Sequence, residues 1–146
     1  MRRTTALLCL LLPALLALGR SDSLWGIWND HGQADSTRLK AMQQLAWKAV
    51  FERPDSGLVL ARMQLELAMR TGDLRGRYEA HTTLAVGNSM LSDHAAALDH
   101  FQQCLRTATA MADPRREANT YSNMSNVYKN LGDLPLALEH LQKSLT

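Results

Sequence analysis

Apolar residues run along most of this chain at helical spacing, interrupted at regular intervals by short polar breaks. Ala97, Leu98, Phe101, Leu105 and Ala108 form one such stripe, and Ala137, Leu138, Leu141 and Leu145 form another with the same i, i+1, i+4, i+8 rhythm. The spacing predicts six helices, over 36–51, 55–71, 74–91, 94–112, 115–131 and 134–145, and no alternating strand pattern competes. Asp73, Asp93, Asp113 and Asp133 recur every 20 residues, each just ahead of a helical stripe. An aspartate there accepts hydrogen bonds from the free amides of the first turn and lies at the positive end of the helix dipole. Pro114 follows one of them at the first helical position, where a missing amide hydrogen costs nothing. Gly72 and Gly132 precede two of them, as helix-ending residues. The first unit breaks the rhythm: Arg53 stands where an aspartate is expected, and Pro54-Asp55-Ser56 restarts the chain two residues later.

A shift of 40 residues brings the chain onto itself. Gly57/Ala97/Ala137, Leu58/Leu98/Leu138 and Leu65/Leu105/Leu145 come into register, as do Asp73/Asp113, Asp93/Asp133, His100/His140 and Gln102/Gln142. A period of this size means stacked copies of one supersecondary unit, none of which buries its apolar face alone. The expected fold is therefore all-α: an α-solenoid of three antiparallel helix hairpins, with units of about 36–73, 74–113 and 114–146. The small residue at Gly57, Ala97 and Ala137 marks a place where two helices approach closely. A glutamate at Ala137 should then be severely destabilising.

The repeat resembles the tetratricopeptide (TPR) unit. The pattern W-x2-L-G-x2-Y…A-x3-F reads as Tyr121-x2-Met124-Ser125-x2-Tyr128…Ala137-x3-Leu141 in the third unit and His81-x2-Leu84-Ala85-x2-Asn88…Ala97-x3-Phe101 in the second. The first unit, Ala41-x2-Gln44-Leu45-x2-Lys48…Gly57-x3-Ala61, is degenerate. The proline usual after the second helix is absent from all three, and the period exceeds the common 34 residues by six. HEAT-like repeats are the nearest rival architecture, but the stretch from Asn126 to Asp133 followed by Ala137-Leu138-Glu139 favours TPR-like units.

The N-terminus differs in kind. Arg2 and Arg3 precede an apolar run from Ala6 to Leu18, and Ala17-Leu18-Gly19 offers small residues for cleavage, the pattern of a secretory signal peptide over residues 1–19. Thirteen apolar residues reach only about 20 Å as a helix, short of the roughly 30 Å hydrocarbon core; an uncleaved anchor is the alternative. The expected location is periplasmic or otherwise extracytoplasmic. Removing Arg2 and Arg3 with the leader leaves 14 basic against 14 acidic side chains, a balance that does not favour nucleic acid or anionic lipid as partners. Of the two cysteines only Cys104 then remains, so no intramolecular disulfide forms, and its place on an apolar stripe makes it a core thiol. Residues 20–35 carry Trp25 and Trp28, expected to fold back as a cap over the first hairpin. With Arg38-Leu39-Lys40-Ala41-Met42 and Leu45-Ala46-Trp47, this opening resembles bacterial proteins in which a secreted TPR array is the sensor half of an adenylate cyclase or histidine kinase. That resemblance implies further repeats, a membrane helix and an output domain beyond Thr146, where the third unit stops without a polar capping helix.

The TPR resemblance also implies where a ligand binds, because such units turn their first helices to the concave side. Asn119, Ser122, Asn123, Asn126 and Asn130 fall on one face of the first helix of the third unit, bordered by Lys129. An asparagine side chain offers donor and acceptor together and grips an extended peptide backbone whatever its sequence. The matching face of the second unit, Glu79, Thr82, Thr83, Val86 and Met90, is more mixed. The alternative is a merely solvated polar face. No Gly-rich phosphate loop, nucleophile elbow or paired-carboxylate arrangement is present, so no catalysis and no cofactor are expected. Of His31, His81, His94, His100 and His140, the pair His94 and His100 lies six apart on one helix and faces different ways. His100 and His140 are equivalent residues of neighbouring units, separated by about 10 Å of helix packing, against the roughly 2 Å a zinc ligand requires. No metal site is expected. Two functions remain: a protein- or peptide-binding repeat module serving as a sensory region, or a scaffold that stacks on itself or on further repeats with its groove empty.

Overall fold

Four identical turns, 20 residues apart, set the architecture. At Gly72, Ser92, Ala112 and Gly132 the backbone turns left-handed, with φ of 70°, 63°, 50° and 79°. The next amide, of Asp73, Asp93, Asp113 or Asp133, then donates back to the carbonyl of Ala68, Asn88, Ala108 or Tyr128 and closes the finished helix. Each aspartate carboxylate in turn accepts from an amide of the coming helix: Gly76 at 2.6 Å, Ala96 at 3.0 Å, Arg116 at 3.0 Å and Leu136 at 3.1 Å. One three-residue break thus ends a helix and starts the next. Glycine holds the left-handed position in two of the four; serine and alanine hold it at a steric cost of about 1–2 kcal/mol. Ala112→Gly should therefore raise the unfolding free energy by about 0.5–1 kcal/mol, net of glycine's greater freedom when unfolded, as read from urea denaturation.

A computed structural model describes residues 23–145. Its helices are α1 (Leu24–Asn29), α2 (Asp35–Glu52), α3 (Pro54–Thr71), α4 (Leu74–Met90), α5 (His94–Ala110), α6 (Pro114–Asn130) and α7 (Leu134–Lys143). From α2 on, every bound falls within two residues of the sequence expectation. The exception to the turn rhythm also holds: Pro54 opens α3 directly after extended Arg53, which makes no side-chain cap. The signal-peptide pattern, Cys9 and Thr146 lie outside the described residues. No helix among the described residues is long and apolar enough to cross a membrane.

Helices α2/α3, α4/α5 and α6/α7 pair as three hairpins, and the second helix of each packs on the first helix of the next. One apolar cluster, Tyr78, Ala85, Ala97, Phe101, Cys104, Ala108, Met124 and Val127, joins the second hairpin to the third. Another joins the chain's start to the first hairpin through Trp28, Leu39, Met42, Leu67 and Ala68. The close-contact reading of Gly57 holds in detail, since a Cβ built there would lie 2.4 Å from Val50 Cα. A second set of small residues, outside the 40-residue register matches, acts in the same way. On α4, Gly76 meets Leu39 and Ala68, and Gly87 meets Val50 and Leu58, so α4 settles tightly against the first hairpin. The same register on α6 holds Arg116 and Val127, and α4 and α6 stand further apart than α2 and α4.

Of the two tryptophans expected to fold back on the first hairpin, one packs into it. Trp28 is buried, its carbonyl accepts from Arg38 Nε at 2.9 Å, and the Arg38 guanidinium lies over its ring at 5.3 Å. Trp25, one turn earlier on α1, remains 44% exposed.

Candidate ligand groove

Side-chain size along the first helices decides where a groove opens. Near the start of α4 and α6, Tyr78 bridges the two: its hydroxyl lies 3.1 Å from both the Arg116 carbonyl and Thr120 Oγ1, and the Arg116 guanidinium covers its ring at 5.2 Å. Burial pushes the Tyr78 phenol above its ordinary value, so it stays a protonated donor. Toward the C-terminal ends no comparable hydrogen-bonded bridge spans the gap among the described residues. There Val86, Ser89 and Met90 from α4 face Asn123, Asn126 and Val127 from α6 across a cleft of about 140 Å³ floored by Phe101 of α5.

Of the residues the sequence singled out, the structure brings Val86, Met90, Asn123 and Asn126 together in this cleft. Asn119, Lys129 and Asn130 are exposed on α6 but do not line it. Thr82 turns inward: its hydroxyl donates to the Tyr78 carbonyl at 2.9 Å and lies 3.5 Å from Cys104 Sγ. Ser122 occupies the register position of Thr82 in the next unit and is half-buried. Glu79 lies in a separate depression between α2 and α4, of about 230 Å³, shared with Ser36, Leu39, Lys40 and Asp73, and pairs with Arg75 at 3.1 Å. Thr83 is wholly buried and bonded to the Glu79 carbonyl. One helix face of five residues thus reduces to two asparagines at the site, because α4 and α6 are bridged at one end and splayed at the other.

Three features escaped the sequence reading. A larger pocket, of about 430 Å³, lies where α1 crosses the first hairpin, walled by Trp25, Leu45, Val59 and Leu60 and rimmed by Lys48, Glu52 and Arg53. The exposed tryptophan was the available signal. His81 and His100 face each other inside the second hairpin, Nδ1 to Nδ1 at 3.2 Å. Their register equivalents in the third, Tyr121 and His140, also pair, with ring centroids 5.7 Å apart. Burial first, then the neighbouring His100 and Arg77, lower the His81 pKa to about 4, while Asp99 opposes them. His100 is lowered for the same leading reason, so both rings are neutral at neutral pH. Cys104 is a core thiol as expected: burial raises its pKa to about 12, leaving no thiolate for nucleophilic or redox chemistry.

No protein-family model matches the chain, and no curated protein matches it in sequence. Among solved structures it is similar to the TPR domain of FLU from Arabidopsis, with a TM-score of 0.70 and 16% identity over 77% of this chain and 95% of that one. Likeness at so low an identity is one of backbone architecture, and with the hairpin pairing above it establishes the fold: the chain is a TPR-like helical solenoid.

Proposed function

We propose that this solenoid is a non-catalytic binding module that takes an extended peptide segment into the cleft between α4 and α6. The observation that carries the reading is the chemistry of that cleft. Asn123 and Asn126 stand beside an apolar floor of Phe101, Val86 and Val127, so backbone amides and one apolar side chain of a peptide are met together. Met90, 45% exposed at the rim, adapts its shape to varied side chains. The charged clamp that would select a peptide carboxylate is lacking among the cleft residues, which favours an internal segment over a chain end. The leader pattern of residues 1–19 supports action outside the cytoplasm, and a sensory role rests on the resemblance of the segment that follows it to the openings of secreted TPR sensor arrays.

Peptides selected from a random displayed library on the purified protein test this reading. Asn123→Ala with Asn126→Ala should weaken the selected peptides at least tenfold, about 1.4 kcal/mol or more, without changing the melting temperature by more than a few degrees. Unaltered affinity in the double variant would remove the cleft from the account.

A scaffold role is the second reading, favoured by the last helix. Leu138 and Leu145 are 57% and 82% exposed, whereas their register equivalents Leu58 and Leu98, and Leu65 and Leu105, are buried or half-buried by the following unit. Under that reading Leu138→Glu with Leu141→Glu abolishes self-association in sedimentation while peptide capture is never observed.

A further inference from the structure

The histidine pair inside the second hairpin has a geometry that packing does not require. His81 lies on α4 and His100 on α5, and their Nδ1 atoms are 3.2 Å apart with ring centroids at 5.3 Å. The centroids are thus only about 2 Å further apart than the nitrogens, close to twice the distance from a ring's centre to its nitrogen, so both nitrogens face the space between the rings. Two imidazole nitrogens bound to one tetrahedral zinc ion at about 2.0–2.1 Å stand about 3.3–3.4 Å apart. The repeat register shows that the fold does not demand histidines here, since the first hairpin holds Ala41 and Leu60 at the same two positions and the third holds Tyr121 and His140.

We propose that His81 and His100 bind one borderline divalent ion of the zinc type through their Nδ1 atoms, clipping α4 to α5. The ligands come from two helices already locked together by the buried Ala85, Ala97, Phe101 and Cys104, so little ordering is left for the ion to impose. Without metal, one Nδ1–H donates to the other Nδ1. Moving that hydrogen to Nε2 of the same ring frees the second lone pair, and the histidines release no net proton. Asp99 acts favourably on both rings, while Arg77 faces His81 and Arg62 faces His100 and oppose a cation. Among the described residues no third His, Cys, Asp or Glu completes a cluster, so water fills the remaining positions and the affinity is moderate.

Titration of the tag-free protein with Zn²⁺ at pH 7.5, by calorimetry and by thermal melting, tests the site. The expected result is one ion per chain with a rise in melting temperature of several degrees. Both effects should vanish in His81→Tyr, which copies the third hairpin, and in His100→Leu, which copies the first, and persist in His94→Gln. Circular dichroism establishes that the variants fold. If one does not, the ¹⁵N shifts of the His81 and His100 Nδ1 atoms in the unsubstituted protein decide the matter, since a bound ion moves both. No heat and no shift would leave only an N–H···N hydrogen bond and overturn the proposal. Binding that survives either pair substitution would overturn it as well.

Discussion

Gly57→Ala should destabilise the protein by about 3 kcal/mol, although alanine is the better helix former by about 1 kcal/mol. The added Cβ would stand 2.4 Å from Val50 Cα, 2.6 Å from Val50 N and 2.7 Å from Val50 Cβ. Two of those three atoms are backbone, so no rotamer change relieves the overlap. Helices α2 and α3 must separate instead, loosening Val50 and Leu58 beside them, both buried. Alanine is native at the equivalent positions Ala97 and Ala137, which makes the cost specific to the closer approach of the first hairpin. Urea denaturation measures it. An unchanged or raised midpoint would mean that the first hairpin is as open as the other two.

Gln64→Met should act in the opposite direction, adding about 1–2 kcal/mol and raising the melting temperature by roughly 4–8 °C. Gln64 on α3 is 0% exposed, and among the described residues neither its Nε2 nor its Oε1 has a hydrogen-bond partner. An amide buried without partners loses its hydration and gains nothing in return, at about 1–3 kcal/mol on the scale of protein mutations. Methionine keeps the length and flexibility of the side chain and removes the polar atoms. The same register position shows how a later unit resolves the problem: Cys104, a small thiol, lies 3.7 Å from the Tyr78 carbonyl and 3.5 Å from Thr82 Oγ1. A loss of more than about 1 kcal/mol in Gln64→Met would show that the amide is satisfied and holds the hairpin together.

Punctuation made most of this fold readable from its residues. Aspartate every 20 residues is a local signal, since capping needs only the carboxylate and amides two or three residues on, and all four aspartates cap as the spacing predicts. Helix α1 was not readable in the same way. Six residues make too short a helix to hold by themselves, and Leu24–Asn29 is fixed by Arg38, ten residues beyond Trp28. The groove was half readable. Helical spacing placed Asn119, Asn123, Asn126 and Asn130 on one face, but spacing within α6 says nothing of the angle at which α4 lies. That angle depends on Tyr78 reaching Thr120 and on Gly76 and Gly87 drawing α4 toward the first hairpin. The histidine pair was hidden for a related reason. Comparison of equivalent residues by a shift of 40 directs attention to His100 and His140 in neighbouring units, whereas the contact that forms lies between the two helices of one hairpin.

Binding in the cleft between α4 and α6 is open to direct test by a map of backbone amide shifts on adding a selected peptide. The largest changes are expected at Val86, Ser89, Met90, Phe101, Asn123, Asn126 and Val127. Changes centred instead on Trp25, Leu45, Val59 and Leu60, the walls of the larger pocket, would contradict it and move the binding site to the N-terminal end of the array.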